Sequence, residues 1–398
     1  MTDNQTIKLP NNWTWKTLGD VANYLNGRAF KPSDWNDKGL PIVRIQNLNK
    51  DKSEYNFTEE SFDNRFFIQN GDLLFAWSAS LGAYIWNGGD AWLNQHIFKV
   101  VPYDNIDKIY LFYSLTTFVN QLYAKSHGSG MVHVTKKVFE DTPILVPPLP
   151  EQQKIVQKIE SLFTELETGT KALKTALTQL KIYRQAVLNH FLTNDSWKMV
   201  KLGDVCDRIF DGPFGSNLKS SDYTSSGVQV VRLENIGFME FFEEKETFVS
   251  EDKYQSLIKH EVFEGDIIFS SFIGDYIRTT ILPNLKYKAI AKADCFCVRQ
   301  KEKLINKQFL TFVLSSIRTQ KILVLAVHGA TRPRINTTQL KTFSFPLPSL
   351  KTQTQIVSEI EKRMAGADVL EASLKTQLIN AENLRQSILK RAFEGKLV

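Results

Sequence analysis

The stretch Trp15-Lys16-Thr17-Leu18-Gly19-Asp20-Val21 returns as Trp197-Lys198-Met199-Val200-Lys201-Leu202-Gly203-Asp204-Val205, with two residues inserted before the second Leu-Gly-Asp-Val. Outward from it, Ser33-Asp34-Trp35 returns as Ser221-Asp222-Tyr223. Pro41-Ile42-Val43-Arg44-Ile45-Gln46-Asn47-Leu48 returns as Gln229-Val230-Val231-Arg232-Leu233-Glu234-Asn235-Ile236, and Gly71-Asp72-Leu73-Leu74-Phe75 as Gly265-Asp266-Ile267-Ile268-Phe269. His127-Gly128 and Arg184-Gln185 recur as His328-Gly329 and Arg385-Gln386. A unit this long far exceeds the periods of solenoid repeats, so the chain is two similar domains in tandem.

The spacing between matches carries more. It is 184 from Gly19 to Gly203, 188 from Arg44 to Arg232, 194 from Gly71 to Gly265 and 201 from His127 to His328. From there it is fixed: 201 from Ile155 to Ile356 and from Arg184 to Arg385. Loops on a globular scaffold accept insertions; a helix whose apolar stripe must stay in register with a partner does not. Each repeat therefore reads as a variable globular head followed by a fixed helical tail.

With 398 residues, 42% hydrophobic and 23% charged, each half can bury its own core. A net charge of +6 is compatible with a polyanionic partner without requiring one. The N-terminus Met-Thr-Asp-Asn-Gln-Thr has no secretory pattern, and no apolar run approaches a membrane span, so the expected location is cytoplasmic with no membrane partner. Cys206, Cys295 and Cys297 form no CxxC and read as reduced structural thiols.

Residues 1–148 form the first head and 195–348 the second, both mixed α/β with short strands such as Ile42 to Leu48 and Leu73 to Trp77 set off by Gly-Asp turns. Pro143, Pro147, Pro148 and Pro150 close the first head and open residues 149–194. From Glu151 to Asn194 there is no proline and one glycine, Gly169. Ile155, Ile159, Leu162, Leu166, Leu173 and Leu180 recur there at near-heptad steps, predicting a long amphipathic helix. Residues 349–398 repeat it, with Ile356, Ile360, Leu370 and Leu374 on the seam and Thr352 with Gln355 as a capping-box start. Forty-odd helical residues span roughly 60 Å.

Connectivity predicts the architecture. The first helix carries the chain from head to head, and the second has an apolar stripe whose nearest matching surface is the first. The fold class is thus α+β: two globular heads in tandem, separated by two long helices packed as an antiparallel coiled coil with pseudo-two-fold symmetry. Two heads on a rigid spacer meet the requirements for reading a split double-stranded DNA sequence, since two-fold proteins bind half-sites at a separation set by their spacer. Because the heads differ in sequence, the half-sites need not match.

The chain resembles the specificity subunits of type I restriction-modification systems. The resemblance rests on Trp15 to Val21, Pro41 to Leu48, Pro147-Pro148-Leu149-Pro150-Glu151-Gln152-Gln153-Lys154-Ile155-Val156, Asp211-Gly212-Pro213-Phe214-Gly215-Ser216 and Ile388-Leu389-Lys390-Arg391-Ala392-Phe393-Glu394-Gly395-Lys396-Leu397-Val398. The second junction, Pro348-Ser349-Leu350-Lys351-Thr352-Gln353, lacks the Pro-Glu-Gln but keeps Gln353 opposite Gln152. The resemblance implies that each head is a target recognition domain and that the helices dock two methylation subunits. Those partners use S-adenosylmethionine, with restriction subunits as optional members; this chain itself would bind no cofactor.

Candidate DNA contacts follow. His127, Ser129 and His133 align across the repeat with the stretch from His328 to Arg334, Gly-rich segments ahead of the last strand of each head, and Arg332 and Arg334 match guanine or phosphate geometry. Arg44, Asn47, Arg232 and Asn235 occupy repeated positions; repetition across heads that read different sequences favours a structural or backbone role. Ser78, Ser80, Ser270 and Ser271 follow the Gly-Asp strand and line a candidate DNA face, with turn capping as the equal alternative. Trp77, Trp86 and Trp92 read as core. No GxxxxGK[ST] loop, HExxH or Asn-Pro-Pro-Tyr-like run is present, and the histidines suggest no metal cluster, so the chain reads as non-catalytic. The rival readings are a two-headed protein-binding scaffold and a single-chain DNA-modifying enzyme with an unrecognised site.

Overall fold

A computed structural model describes residues 12–49, 53–78, 80–125, 136–274, 276–327 and 333–397. It divides into two compact units, residues 1–173 with 376–398, and residues 174–375. Each unit holds one head together with a part of each long helix.

In the first unit, an antiparallel sheet has the order Ala22–Asn26, Ile97–Pro102, Leu73–Ala76, Gly82–Ile85. A second sheet runs Asn56–Thr58, Leu40–Val43, Ala91–Leu93, Phe67–Ile68, with one parallel pair, Leu40–Val43 beside Ala91–Leu93. Apolar residues of Leu73–Ala76 are buried on both faces of their sheet: Leu73 and Phe75 pack with Tyr24, Phe98 and Phe139, while Leu74 and Ala76 pack with Val43, Trp86 and Leu93. A strand buried on both faces is continuously apolar rather than alternating, as Leu-Leu-Phe-Ala is.

The second unit repeats this plan. Cys206–Phe210, Cys295–Gln300, Ile267–Ser270 and Thr279–Ile281 form the antiparallel sheet. The mixed sheet has five strands, with Val228–Val231 parallel to Ala289–Ala291. All three cysteines are buried, and burial pushes the Cys206 thiol up to about 12. Such thiols stay protonated, as packing groups should.

The expected strand from Ile42 to Leu48 is corrected: the strand is Leu40–Val43, and Ile45–Asn49 is a short helix. The Arg44 amide donates to Asn47 Oδ1 at 2.9 Å, turning the chain out of the sheet. In the second head Val228–Val231 gives way to a 3₁₀ turn, Leu233–Asn235, through the same bond from the Arg232 amide to Asn235 Oδ1 at 2.9 Å.

Each head is closed by its first and last strands. Thr14–Thr17 pairs antiparallel with Pro143–Val146, and Lys198–Lys201 with Ser344–Leu347. The long helices, Leu149–Leu192 and Leu350–Phe393, start directly after these closing pairs. Pro150 is the second helical residue, where its missing N–H costs nothing. The second helix is capped by Ser349, whose Oγ accepts the Thr352 amide at 3.3 Å, and not by Thr352 as the sequence suggests.

The helices pair antiparallel within each unit. In the first, Ile155, Ile159 and Phe163 pack with Ile388, Leu389 and Ala392, over Trp13, Tyr110 and Leu145 of the head. In the second, Val187, Leu188 and Leu192 join Ile356, Ile360 and Met364 in the head's main cluster. Ile159 and Ile360 are fully buried, each contributing roughly 1.5–3 kcal/mol. Leu180 and Leu374 are buried too; Leu162, Leu166 and Leu173 are partly buried. Leu370 is 50% exposed, which corrects its assignment to the seam. Glu371 occupies the inward position instead, because Arg184 neutralises it at 2.6 Å while also binding Asp368 at 2.5 Å. The first unit has the repeat-equivalent pair, Arg385 with Glu167 at 3.5 Å. Among the described residues no helix is long and apolar enough to cross a membrane.

Candidate nucleic-acid interface

Two buried glutamines join head to helix in the same way. Gln152 is fully buried; its Oε1 accepts the Asp107 amide at 2.8 Å and its Nε2 donates to Asn105 O at 3.1 Å and Pro147 O at 2.8 Å. Gln353, also fully buried, accepts the Asn306 amide at 2.8 Å and donates to Leu304 O at 3.2 Å and Pro348 O at 2.9 Å. These bonds explain why the glutamine persists where the surrounding Pro-Glu does not.

Arg44, Asn47, Arg232 and Asn235 are part of the same shared framework. Asn47 Nδ2 donates to Glu54 O at 3.1 Å, and Asn235 Nδ2 to Phe242 O at 2.9 Å and Lys245 O at 3.1 Å. The Arg44 guanidinium lies 5.7 Å from the Trp35 ring and donates to Asn56 Oδ1. Arg232 lies 5.5 Å from Tyr223, meets Glu234 at 3.1 Å and donates to Thr247 Oγ1 at 3.2 Å. Trp35 and Tyr223 end the repeated Ser-Asp-aromatic motif, whose aspartate caps a 3₁₀ turn by accepting the Lys31 or Lys219 amide.

The other candidates separate. His127, Ser129, His133 and Arg332 lie outside the described residues. Ser80 is exposed and Ser78 buried. Ser270 and Ser271 are fully buried and act as supports. Ser270 Oγ accepts the Phe272 amide at 3.2 Å, and Ser271 Oγ donates to Asp294 Oδ1 at 2.6 Å.

Arg334 is placed differently. Its guanidinium meets Asp294 at 2.5 Å, lies 5.5 Å from the Phe214 ring and 5.7 Å from Phe272, and remains 43% exposed. Its backbone is clamped: Ile273 N donates to Pro333 O at 3.1 Å and Ile335 N to Ser271 O at 3.0 Å. Asp294 has φ +73°, and its amide donates to Asp211 Oδ1 at 2.8 Å. Burial raises the Asp211 carboxyl to about 6, against the pull of the Gly212 and Asp294 amides. His260, whose Nδ1 lies 2.8 Å from Asp211 O, is held below its ordinary value by burial.

The matching crevice of the first head has other chemistry. The backbone pairings that place Ser271 against Asp294 place Trp77 against His96. Gly27 and Gly212 occupy one position, where an added Cβ would lie 2.2 Å from Asn94 O or 2.1 Å from Lys292 C. Only glycine permits that approach of two backbones. Here His96 Nδ1, Gln95 Oε1 and Arg28 Nε are buried with no hydrogen-bond partner among the described residues. The Arg28 guanidinium lies 4.3 Å from the Phe62 ring and 3.7 Å from Asp34. Sequence reasoning missed Arg28, Gln95, His96, Asp211 and Asp294 because they come from separate segments; only the quoted Asp211-to-Ser216 stretch hinted at one of them. Among the described residues no three His, Cys, Asp or Glu side chains gather as a metal site.

Duplicated heads with one framework and two different polar crevices, each seated on paired long helices, define a two-headed recognition protein. The type I restriction modification DNA specificity domain model matches twice, over residues 10–175 and 194–379, and the chain belongs to that family. Among its relatives is the type I restriction enzyme EcoBI specificity subunit of Escherichia coli, 26% identical, with 99% of this chain and 88% of the relative covered. The MjaVIII specificity subunit of Methanocaldococcus jannaschii is 28% identical, with 98% and 94% covered. Of solved structures, a chain of a type I R-M system superposes with TM-score 0.72 at 21% identity, covering 98% of this chain and all of that one. The HsdS subunit from Thermoanaerobacter tengcongensis gives 0.55 at 21%, with both chains fully covered. This chain is a type I restriction-modification specificity subunit with two tandem DNA specificity domains.

Proposed function

We propose that each head reads one half of a bipartite double-stranded DNA target, that the register of the two long helices fixes the spacer, and that the chain catalyses no step itself. The observation that carries this reading is the duplication: the heads share Gln152 with Gln353 and Asn47 with Asn235 as framework, yet differ in a crevice where, in the first head, buried polar atoms have no hydrogen-bond partner among the described residues. A protein reading one symmetric sequence would have no use for that difference. Phosphate contacts would position each head and base-edge contacts would select sequence.

Chemistry belongs to partners in this reading. Two methylation subunits supply S-adenosylmethionine chemistry, and restriction subunits join in systems that have them. Tyr183 and Leu384, 41% and 51% exposed at equivalent repeat positions, are apolar groups on the long helices suited to such docking. The test is modified-base long-read sequencing of a host expressing this chain with a type I methylating subunit. A methylated split motif that vanishes when this chain is omitted supports the reading; unchanged methylation, with the complex formed, overturns it.

A further inference from the structure

The two heads can be compared with each other residue by residue, because backbone pairing fixes which positions are equivalent even where the spacing between matches drifts. Where the fold needs a residue, both heads keep it: the buried glutamines, the turn asparagines, and the aspartates that cap the Ser-Asp-aromatic turn. The heads differ at the crevice beside Gly27 or Gly212, at the start of Ile97–Pro102 or Cys295–Gln300. There Asn26 is replaced by Asp211, Trp77 by Ser271 and His96 by Asp294. A shared scaffold whose chemistry changes at such a crevice is what two related readers of different sequences require.

The same crevice holds an unusual backbone conformation in the second head and, among the described residues, buried polar atoms without hydrogen bonds in the first. Asp294 occupies the left-handed backbone region without being glycine, a conformation that persists only where its surroundings enforce it. The enforcement comes from Asp211, which accepts its amide, and Ser271, which donates to its carboxylate. The result is a carboxylate aimed at one edge of Arg334, with Phe214 and Phe272 beside the guanidinium and the remainder open to solvent. A guanidinium fixed along one edge can present its other N–H groups in a defined direction. In the first head the equivalent place holds buried His96 Nδ1, Gln95 Oε1 and Arg28 Nε with no hydrogen-bond partner among the described residues, and buried polar groups are ordinarily satisfied.

We propose that this crevice is the base-reading site of each head, with Arg334 selecting a guanine in the half-site of the second head and His96, flanked by Gln95, reading a base edge in the first. Asp294 is the positioning residue for Arg334. Arginine suits guanine because its paired N–H donors match O6 and N7 in the major groove, and glutamine pairs in the same bidentate manner with adenine. The proposal rests on reading each head as a DNA-recognition unit, so its test separates the two.

The chain is expressed with its methylating subunit as wild type, Arg334→Gln and His96→Ala, and each methylated motif is read by modified-base sequencing. The purified complexes are then titrated with duplex oligonucleotides carrying the wild-type motif and every single-base exchange within it. Arg334→Gln is expected to lower discrimination at one guanine of the second half-site by roughly 10- to 100-fold, leaving the first half-site and spacer unchanged. His96→Ala is expected to relax one position of the first half-site only. If Arg334→Gln fails to assemble, Arg334→Lys, which keeps the charge and the stem, supplies the same comparison. An unchanged motif overturns the proposal, as does a uniform loss of binding across all duplexes with a shallower salt dependence, which marks a phosphate contact. A wild-type complex that methylates no split motif overturns the functional reading itself.

Discussion

Replacing Gln152 by alanine removes a fully buried side chain that ties the start of the first long helix to its head. Three hydrogen bonds of 2.8, 3.1 and 2.8 Å are lost from a fully buried position. The Asp107 amide and two carbonyls are left behind, the Pro147 carbonyl bonded in a buried setting. At about 1 kcal/mol per bond, with a further penalty for stranded groups that cannot all recruit water, the cost is about 3–4 kcal/mol. Tryptophan fluorescence reports this selectively: six of the seven tryptophans lie in the first unit, and only Trp197 in the second. With a urea slope of about 2–3 kcal/mol/M for a unit of this size, the fluorescence midpoint should fall by about 1–2 M. Gln353→Ala should leave that midpoint in place and instead shift the later loss of helical ellipticity from the second unit. A fluorescence shift below about 0.3 M for Gln152→Ala would show that water replaces the glutamine and would refute the bond-by-bond account.

Four other outcomes are expected. Asp211→Asn keeps an Oδ1 acceptor for the Gly212 and Asp294 amides, and asparagine is the residue at the equivalent position of the first head, Asn26. Because the folded carboxyl is raised to about 6 from 3.8, the wild type loses stability as pH rises between those values, so the variant's melting-temperature advantage should be absent below pH 4, grow to pH 6 and then level off; a pH-independent difference contradicts the assignment. Gly212→Ala should lower the stability of the second unit, since its Cβ would lie 2.1 Å from backbone. Gly169→Ala, in open space on a helix, should raise thermal stability by about 0.5–1 kcal/mol. Tyr183→Asp combined with Leu384→Asp should weaken capture of a methylating subunit by at least about 10-fold in surface-immobilised binding while leaving far-UV ellipticity intact.

The long helices were legible because a proline-free stripe at near-heptad spacing has few other solutions; the first starts at Leu149, and the second at Leu350, ahead of the Thr352 cap that the sequence suggests. Leu370 was misassigned because hydropathy alone cannot foresee that Arg184 makes a glutamate acceptable at the inward position. The strand from Ile42 to Leu48 was drawn too long because its end is set by a side-chain bond from Asn47 to the Arg44 amide, which alternation does not record. The repeated Arg and Asn positions were readable as framework, since a residue kept in both heads cannot explain a difference between targets. The crevice was not readable. Its residues, around 26–28, 77 and 95–96 or 211–214, 271–272, 294 and 334, meet only after the sheets form, and what marks them is their difference between heads rather than a motif.

The most direct test replaces residues 195–348 with a second copy of residues 1–148 and reads the methylated motif in a host that supplies the methylating subunit. The account predicts a split motif that retains the original first half-site and carries that same half-site again in place of the second. Persistence of the original second half-site, with the chimaera shown to be in the complex, would contradict the claim that each head reads its own half.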